Sequence, residues 1–358
     1  MAKLFEFTPR LVNLLTGAQS LYGQLESKAR IPSLALRLIQ ENQVLATHFS
    51  TSIEGNPLTQ IEVTNIVLGD KVPTTKSEKE VKNYFEVLNR ISVLAREKRP
   101  LTLELTLSLH KDLMKDLLVR NIGKLRDEGV FVGHRDVAGA VHVKHNPPAH
   151  TAKKIEELLT KLYEDVLSDK ENHPLILAGI LHHGFVHIHP FIDGNGRLGR
   201  ILTAYYLLLN GYEVTKYFII DDYYDIDRLE YSDMLHSADS DDEQSSPADK
   251  TKWLTYFLEG INYSLQAAIK RVEDIQGEDI DAVTGTKRVL VSKKEEEVIQ
   301  LLLERQVLKA QDIVRMFDIT RQRAGYLLNS LVKKGIVKKQ GKTKSSYYEL
   351  ATKEKPST

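Results

Sequence analysis

The chain of 358 residues reads as a mainly α-helical protein with one extended interruption and a C-terminal winged helix-turn-helix domain. Three observations predict this. Apolar residues recur at helical spacing through most of residues 33–272. A valine- and glycine-containing stretch between Gly129 and Pro148 alternates like paired strands. The last segment, 292–358, runs helix, helix, helix, strand, strand.

Each element has a local cause. Residues 33–53 place Leu38, Ile39, Leu45, Ala46 and Phe49 on or near one face, with Pro32 as a start signal and Glu54-Gly55-Asn56-Pro57 as a stop. Thr59 with Glu62 three residues on forms a capping box for the next helix. Further helices fit 78–97, 102–116, 151–167, 174–186, 196–209, 226–237 and 250–272. Between them Val130, Phe131 and Val132, then Gly133, then Val141 and Val143 form a hairpin or extended flap with Gly139 near its tip, closed by Asn146-Pro147-Pro148. Residues 273–291 mix Gly277, Gly285, acids and small residues without a clear period, as a linker would. After them Ser292 and Glu295 form a capping box, helices fit 292–304, 310–317 and 320–334, and strands fit 336–339 and 346–350. The expected domains are an N-terminal helical region (1–100), a core (101–272), the linker (273–291) and the winged domain (292–358).

Composition narrows the function classes. With 42% hydrophobic and 27% charged residues the chain is globular rather than disordered, and its length suits two or three domains. It has no cysteine, which excludes disulfides, zinc–thiolate sites and thiol nucleophiles. No apolar run reaches the roughly 18 residues of a spanning helix. The N-terminus lacks the basic-then-apolar build of a secretory signal, so a cytoplasmic location is expected and no membrane partner. The net charge is zero, from 49 basic and 49 acidic residues, yet it is a cancellation. Residues 287–358 carry 17 basic and 8 acidic side chains, a net of +9, which leaves −9 for residues 1–286. Residues 221–243 alone hold ten acids and one base, Arg228.

The densest chemistry lies at His189-Pro190-Phe191-Ile192-Asp193-Gly194-Asn195-Gly196-Arg197-Leu198-Gly199-Arg200. A glycine-rich loop entering a helix presents free backbone N–H groups, an anion site before any side chain is counted. The glycines let that backbone approach a phosphate closely. Arg197 and Arg200 lie three apart on one flank of the helix and can grip a phosphate chain together. Asp193 adds a hard oxygen ligand suited to Mg²⁺, and His189 is left as a base. His182, His183, His187 and His189 match no usual zinc spacing, and His182-His183 reads as packing in an apolar helix.

This stretch resembles the Fic family motif, HPFx[D/E]GNGRxxR, at every defined position. The resemblance implies a Fic-fold helical bundle with a β-hairpin flap and an adenylyltransferase that moves AMP from ATP to a Ser, Thr or Tyr hydroxyl of a target protein, releasing pyrophosphate. It assigns His189 as the base and Asp193 as the Mg²⁺ ligand. Asn195 and the backbone of Gly194 to Gly196 would cradle the phosphates, and Arg197 and Arg200 would bind the outer part of the triphosphate. In the kinase-like Doc branch lysine takes the place of Gly194, so glycine favours AMP transfer.

A second stretch, Ser50-Thr51-Ser52-Ile53-Glu54-Gly55-Asn56, reads by itself as a helix end stopped by Gly55. It also resembles the family's inhibitory motif, [S/T]xxxE[G/N], in the form that lies N-terminal to the core. The resemblance pairs Glu54 with Arg200 and places it where the γ-phosphate would sit, with Ser50 helping to orient it. It leaves removal of AMP from targets open as a second activity. Around the core, Val130 and Val132 look like flap residues that align the target by strand addition, or else plain core. Tyr231 is taken as an adenine neighbour, and the lone Trp253 as packing. In the tail, Arg321, Gln322 and Arg323 could reach base edges in DNA, with Lys333, Lys334, Lys338, Lys339, Lys342 and Lys344 on phosphates. The same lysine face suits a protein partner. The rival reading is a DNA-binding regulator with a secondary or inactive Fic core. Whether the chain forms a homo-oligomer stays open.

Overall fold

The computed structural model describes residues 4–28, 32–69, 71–117, 120–135, 141–213, 217–239, 249–281, 293–317, 319–341 and 346–351. The chain divides into two compact units, Met1–Lys28 with Glu41–Arg271, and Ala29–Gln40 with Val272–Thr358.

The first unit is built around a helical pair. Helix α7 (Pro174–Ile188) is apolar on nearly every side, starts with Pro174 at its first turn, and buries residues all round, as a central helix must. Helix α8 (Asn195–Leu209) packs along it and buries Leu198, Ile201, Leu202 and Tyr205. Around the pair lie α4 (Lys76–Arg96) and α5 (Leu103–Leu113) on α8, and α6 (Ala152–Ser168) on α7. Thr75, Thr102 and Thr151 cap these three helices with side-chain oxygens on backbone N–H groups. Helix α2 (Pro32–Ile53) precedes α3 (Gln60–Val67), whose capping box of Thr59 and Glu62 is present as the sequence predicts. The loop joining α7 to α8 therefore sits at one end of the most buried pair of helices.

Two helices of this unit carry weaker sequence signals. Helix α1 (Pro9–Lys28) buries only Leu11, Ala18 and Leu25, a stripe one residue wide at sevenfold spacing. It runs against α11 (Thr251–Asp281), where Asn262 Nδ2 donates to Leu14 O at 2.8 Å and Arg10 pairs with Glu259. Helix α9 (Asp221–Ile226) has six residues and precedes α10 (Arg228–His236), capped by Asp227. Helix α11 continues through Asp281, so residues 273–281 of the expected linker are helical. Gly277 costs about 1 kcal/mol there relative to alanine, too little to break a helix this long. Residues 282–291 of that linker, and Ser292, lie outside the described residues.

The extended interruption is an antiparallel pair, β1 (Val132–Arg135) with β2 (Val141–His145), irregular between Val132 and Gly133. Val130 precedes the strand, and the expected tip, Gly139, lies outside the described residues.

The second unit holds α12 (Lys293–Arg305), β3 (Val307–Leu308), α13 (Ala310–Phe317), α14 (Arg321–Lys333), β4 (Val337–Gln340) and β5 (Tyr347–Leu350). The strands form one antiparallel sheet in the order β3-β5-β4. Val298, Leu302, Ile313, Leu327, Leu328, Leu331 and Tyr348 make its own core. Strand β3 has two residues, below what any alternation can reveal in the sequence.

Trp253 on α11 is buried, donates from Nε1 to Gly179 O at 2.8 Å, and lies beside Phe257 and His182. A Cβ at Gly179 would meet Leu254 Cδ2 at 2.7 Å and Phe257 Cδ1 at 3.1 Å, so a larger residue there would force these side chains to shift. Trp253→Ala is expected to cost about 3–5 kcal/mol. Urea unfolding followed by far-ultraviolet circular dichroism measures it, since this is the only tryptophan.

Candidate functional site

The loop between α7 and α8 begins with His189, which takes the left-handed conformation at φ 50°, ψ 62° and ends α7 with its own N–H on Phe185 O. A side chain with a Cβ held there is strained, and strain of this kind gathers at functional sites. The turn carries the imidazole out of the helix and brings Nδ1 to 3.3 Å from Val186 O. With the Nδ1 proton on that carbonyl, Nε2 is left bare as a proton acceptor. Burial pushes the His189 pKa down to about 4, so the ring is neutral at pH 7.

Four groups hold the loop in shape. Arg126 is fully buried and donates from Nε to His189 O at 2.6 Å, from Nη2 to Ile188 O at 3.2 Å and from Nη1 to Glu128 O at 2.7 Å. Its backbone N–H reaches Pro190 O at 3.0 Å. His110 on α5 stacks on Phe191 with centroids 3.7 Å apart, accepts from Gly123 N at Nδ1 and donates from Nε2 to Asp193 O at 3.0 Å. Burial lowers its pKa to about 4, which keeps this neutral tautomer. The Asn195 amide bridges both backbone groups of Phe191, accepting at 2.9 Å and donating at 2.8 Å. Gly194 has φ 82°, and a Cβ on it would press into Met114 Sδ at 2.8 Å.

Beyond the loop, the first N–H groups of α8 have no partner inside the helix. The two arginines flank that end. Arg197 is nearly buried and reaches Asp193 Oδ1 at 3.3 Å and Glu80 Oε1 at 3.7 Å. Its Nε and Nη1 and the Nη1 of Arg200 are buried without a hydrogen bond. Buried guanidinium N–H groups that lack an acceptor are costly, and a polyanion would satisfy them. Asp193 accepts from Gly194 N at 2.6 Å and leaves 43% of its side chain exposed, so its carboxylate is open to a hard cation. The donor set therefore fits a triphosphate with Mg²⁺.

Arg200 is the most enclosed of these charges. Its Nε donates to Ser50 Oγ at 2.7 Å, and its Nη2 donates to Ser50 O and to Glu54 Oε1, both at 2.8 Å. Asp221 Oδ1 lies 3.1 Å from Nε. Burial alone would depress the Arg200 pKa, but Glu54, Tyr231 and Asp221 more than reverse that and raise it. Glu54 is aimed by the end of α2, where Gly55 N bonds Ser52 O and Asn56 N bonds Thr51 O, with Gly55 at φ 87°. Its carboxylate lies over Gly196, where any Cβ would collide with Oε1.

Thus His189, Asp193, Gly194, Asn195, Gly196, Arg197, Arg200, Glu54 and Ser50 come together in one unit. Tyr231 stands close behind, yet it is buried. Its hydroxyl lies 2.8 Å from His182 Nε2, and its ring stacks on Tyr224 with centroids 4.3 Å apart. On the flap, Val130 and Val132 are half-buried, whereas Phe131 and Val143 are the exposed apolar side chains. Arg321, Gln322 and Arg323 are exposed on α14 of the other unit. His182 is committed to Thr203 and Tyr231, in keeping with packing. Sequence reasoning missed His110, Asp221 and the clamp made by Arg126, since each acts across the fold and none carries a local pattern.

Residues 100–207 match the family model described as the Fic/DOC family. The chain is 29% identical over 170 residues to "Protein adenylyltransferase Fic" of Drosophila willistoni, covering 46% of this chain and 32% of that protein. It is 28% identical over 183 residues to the protein of the same name from Nematostella vectensis, covering 49% and 40%. The chain thus spans well under half the length of these curated relatives. Among solved structures, a Fic family protein from Desulfovibrio desulfuricans G20 superposes with a TM-score of 0.62 at 23% identity, over 99% of this chain and 100% of that one. Fic-1 of C. elegans superposes with a TM-score of 0.55 at 19% identity, over 75% and 73%. These two share the fold. The segment that carries the loop, within residues 100–207, is thus similar to the Fic/DOC family, and the chain shares the fold of these Fic structures.

Arg126→Ala leaves the carbonyls of Ile188, His189 and Glu128 without this donor. A loss of roughly 2–5 kcal/mol is expected in chemical unfolding, and Arg126→Lys should recover only part of it because one ammonium cannot span the same acceptors.

Proposed function

We propose that the chain is a protein adenylyltransferase held in check by Glu54. The observation that carries this reading is the juxtaposition of a neutral, oriented imidazole, His189, with a loop whose buried arginine N–H groups lack acceptors. A target hydroxyl oxygen attacks the α-phosphorus of ATP, its proton passes to His189 Nε2, and the bond from the α-phosphorus to the bridging oxygen breaks. Pyrophosphate leaves against Arg197, Arg200 and the N–H groups of α8. Asp193 would hold Mg²⁺, which neutralises phosphate charge when bound. The protein contributes alignment and fixed positive charge. The side-chain amide of Asn195 shapes the loop, so any contact it makes with phosphate comes from its backbone. The outer edge of β1 has no strand partner among the described residues, which suits a target backbone added as a strand beside Phe131.

The brake is supported by the bonds of Arg200 to Glu54 and Ser50, which engage a cation that the triphosphate needs. Removing AMP from targets would use the same glutamate. Glu54→Gly is expected to raise AMP transfer by 10-fold or more, while His189→Ala lowers it by roughly 10²–10⁴-fold. Label transfer from α-labelled and γ-labelled ATP to protein measures both. Label arriving only from the γ position would mean a kinase, and an unchanged rate in Glu54→Gly at saturating ATP and Mg²⁺ would mean no brake.

The His189 pKa also sets the acid limb of the rate. The base is active while neutral, so activity is retained as pH falls past the ordinary imidazole value and is lost only toward about 4. Loss of Glu54 removes a neighbour that raises this pKa, so the limb in Glu54→Gly should lie no higher. A kcat/KM profile of that variant with a limb near 6.5 would contradict this protonation state.

For the second unit we propose a winged helix that binds DNA through α14. Arg321, Gln322 and Arg323 are exposed there, with Tyr326 exposed under Arg323 at 5.4 Å. A gel shift on random duplex should weaken steeply with salt. Absence of binding at low salt would favour the protein-partner reading.

A further inference from the structure

The histidines near the catalytic loop hold a second cluster that the proposed reaction does not use. His145 ends β2, His187 lies in the last turn of α7, and Asp239 follows α10. One nitrogen from each ring and one carboxylate oxygen all lie within 4.8 Å of one another. His145 Nδ1 is 2.9 Å from Asp239 Oδ2, and His187 Nδ1 is 2.7 Å from Asp239 Oδ1. His145 is buried, and Asp239 is only 16% exposed. We propose that His145, His187 and Asp239 form a binding site for a divalent cation of the zinc type, separate from the Mg²⁺ ligand Asp193.

The surroundings of these three residues carry the argument. The other ring nitrogen of His145, Nε2, lies 2.8 Å from His187 O and donates its proton there. In the neutral ring Nδ1 is then a lone pair, and it faces a carboxylate oxygen. Two lone pairs at 2.9 Å repel unless a proton or a metal ion stands between them. Ligand histidines characteristically spend their second N–H on a carbonyl in this way, which fixes the ring and its tautomer. The carboxylate has an outer partner of its own. Lys250 Nζ lies 2.9 Å from His183 Nδ1 and donates to it, so His183 keeps its proton on Nε2 and donates to Asp239 Oδ1 at 3.0 Å. His183 is thereby a support and not a ligand. Two imidazoles and one carboxylate form a ligand set that suits zinc-type ions and is poor for Mg²⁺. Metal–ligand bonds of about 2.0 Å put neighbouring ligand atoms roughly 3.3 Å apart in a tetrahedron, so on metal binding the two nitrogen–oxygen pairs at 2.9 and 2.7 Å would open slightly while the widest pair, within 4.8 Å, would close.

The site would tie three elements together, namely the base of the flap, the turn of α7 just ahead of His189, and the segment after α10. Its existence does not depend on the reaction proposed above.

Cobalt(II) is the probe, because its visible absorption reports coordination directly. Tag-free full-length protein is titrated with Co²⁺, and Zn²⁺ is then added in competition. The expected result is one saturable equivalent, displaced by Zn²⁺, with a rise in melting temperature on Zn²⁺ addition. Asp239→Asn and His187→Gln should each weaken binding at least 10-fold, and Asp193→Ala should retain it. His145→Gln gives a second ligand variant should Asp239→Asn fold poorly, judged by circular dichroism. The proposal is overturned if no saturable Co²⁺ spectrum appears, which would mean that the cluster holds only protons. It is equally overturned if the ligand variants bind like the parent chain, or if binding disappears in Asp193→Ala.

Discussion

The constraint on which the site depends is the burial of Arg200. A guanidinium 97% removed from water by its side-chain surface is tolerable only with acceptors around it. Its partners come from two elements, with Ser50 and Glu54 accepting hydrogen bonds at the end of α2 and Asp221 supplying an opposite charge at the start of α9. Each of these contacts draws an element onto α8. The end of α2 has its own fastening, because Asn56 donates to Ser77 O and Glu80 Oε2, and Glu80 in turn faces Arg197. The segment around Glu54 and the two arginines thus belong to one network across α2, α4 and α8. Burial raises the pKa of Asp221 itself, and the charge of Arg200 opposes that rise.

The electrostatics of the chain follow from this placement. Residues 1–286 are acidic in sum, and Asp221, where an acidic run of sequence begins, lies against Arg200. The positive field available to an anion is therefore local, made from Arg197, Arg200 and one helix terminus in a low-dielectric pocket where a few charges count for much. A protein that is acidic in sum can still hold a polyanion if its cations are buried and their acceptors few.

What was legible in the sequence was whatever is local in it. Residues His189 to Arg200 are consecutive, so a loop, a glycine turn and a helix start could be read with their chemistry attached. Capping residues such as Thr59 and the alternating valines of the flap were readable for the same reason. The supports were not. Arg126 reaches carbonyls of residues 188–190, and His110 stacks on Phe191, across sequence separations that no spacing rule covers. Helix α1 hid because three buried residues make too narrow a stripe, and α11 outran its expected end because Gly277 looks like a breaker and is not one. The histidine cluster shows the limit most plainly. His182, His183, His187 and His189 look like neighbours, yet the fold sends them to an aromatic core, to Asp239 and to the loop between α7 and α8.

The end of α2 has a further consequence for what sequence change the chain can absorb. Glu54 reaches Arg200 because Ser50 stands one helical turn before it, on the same side of the helix. An α-helix advances by about 100° per residue. Inserting or deleting a single residue between Ser50 and Glu54 would leave composition, helicity and charge almost untouched and yet swing the carboxylate a quarter-turn or more out of line. The spacing of these two residues is therefore a phase relation, in which substitutions elsewhere on α2 are graded in effect while a change of length is all-or-none.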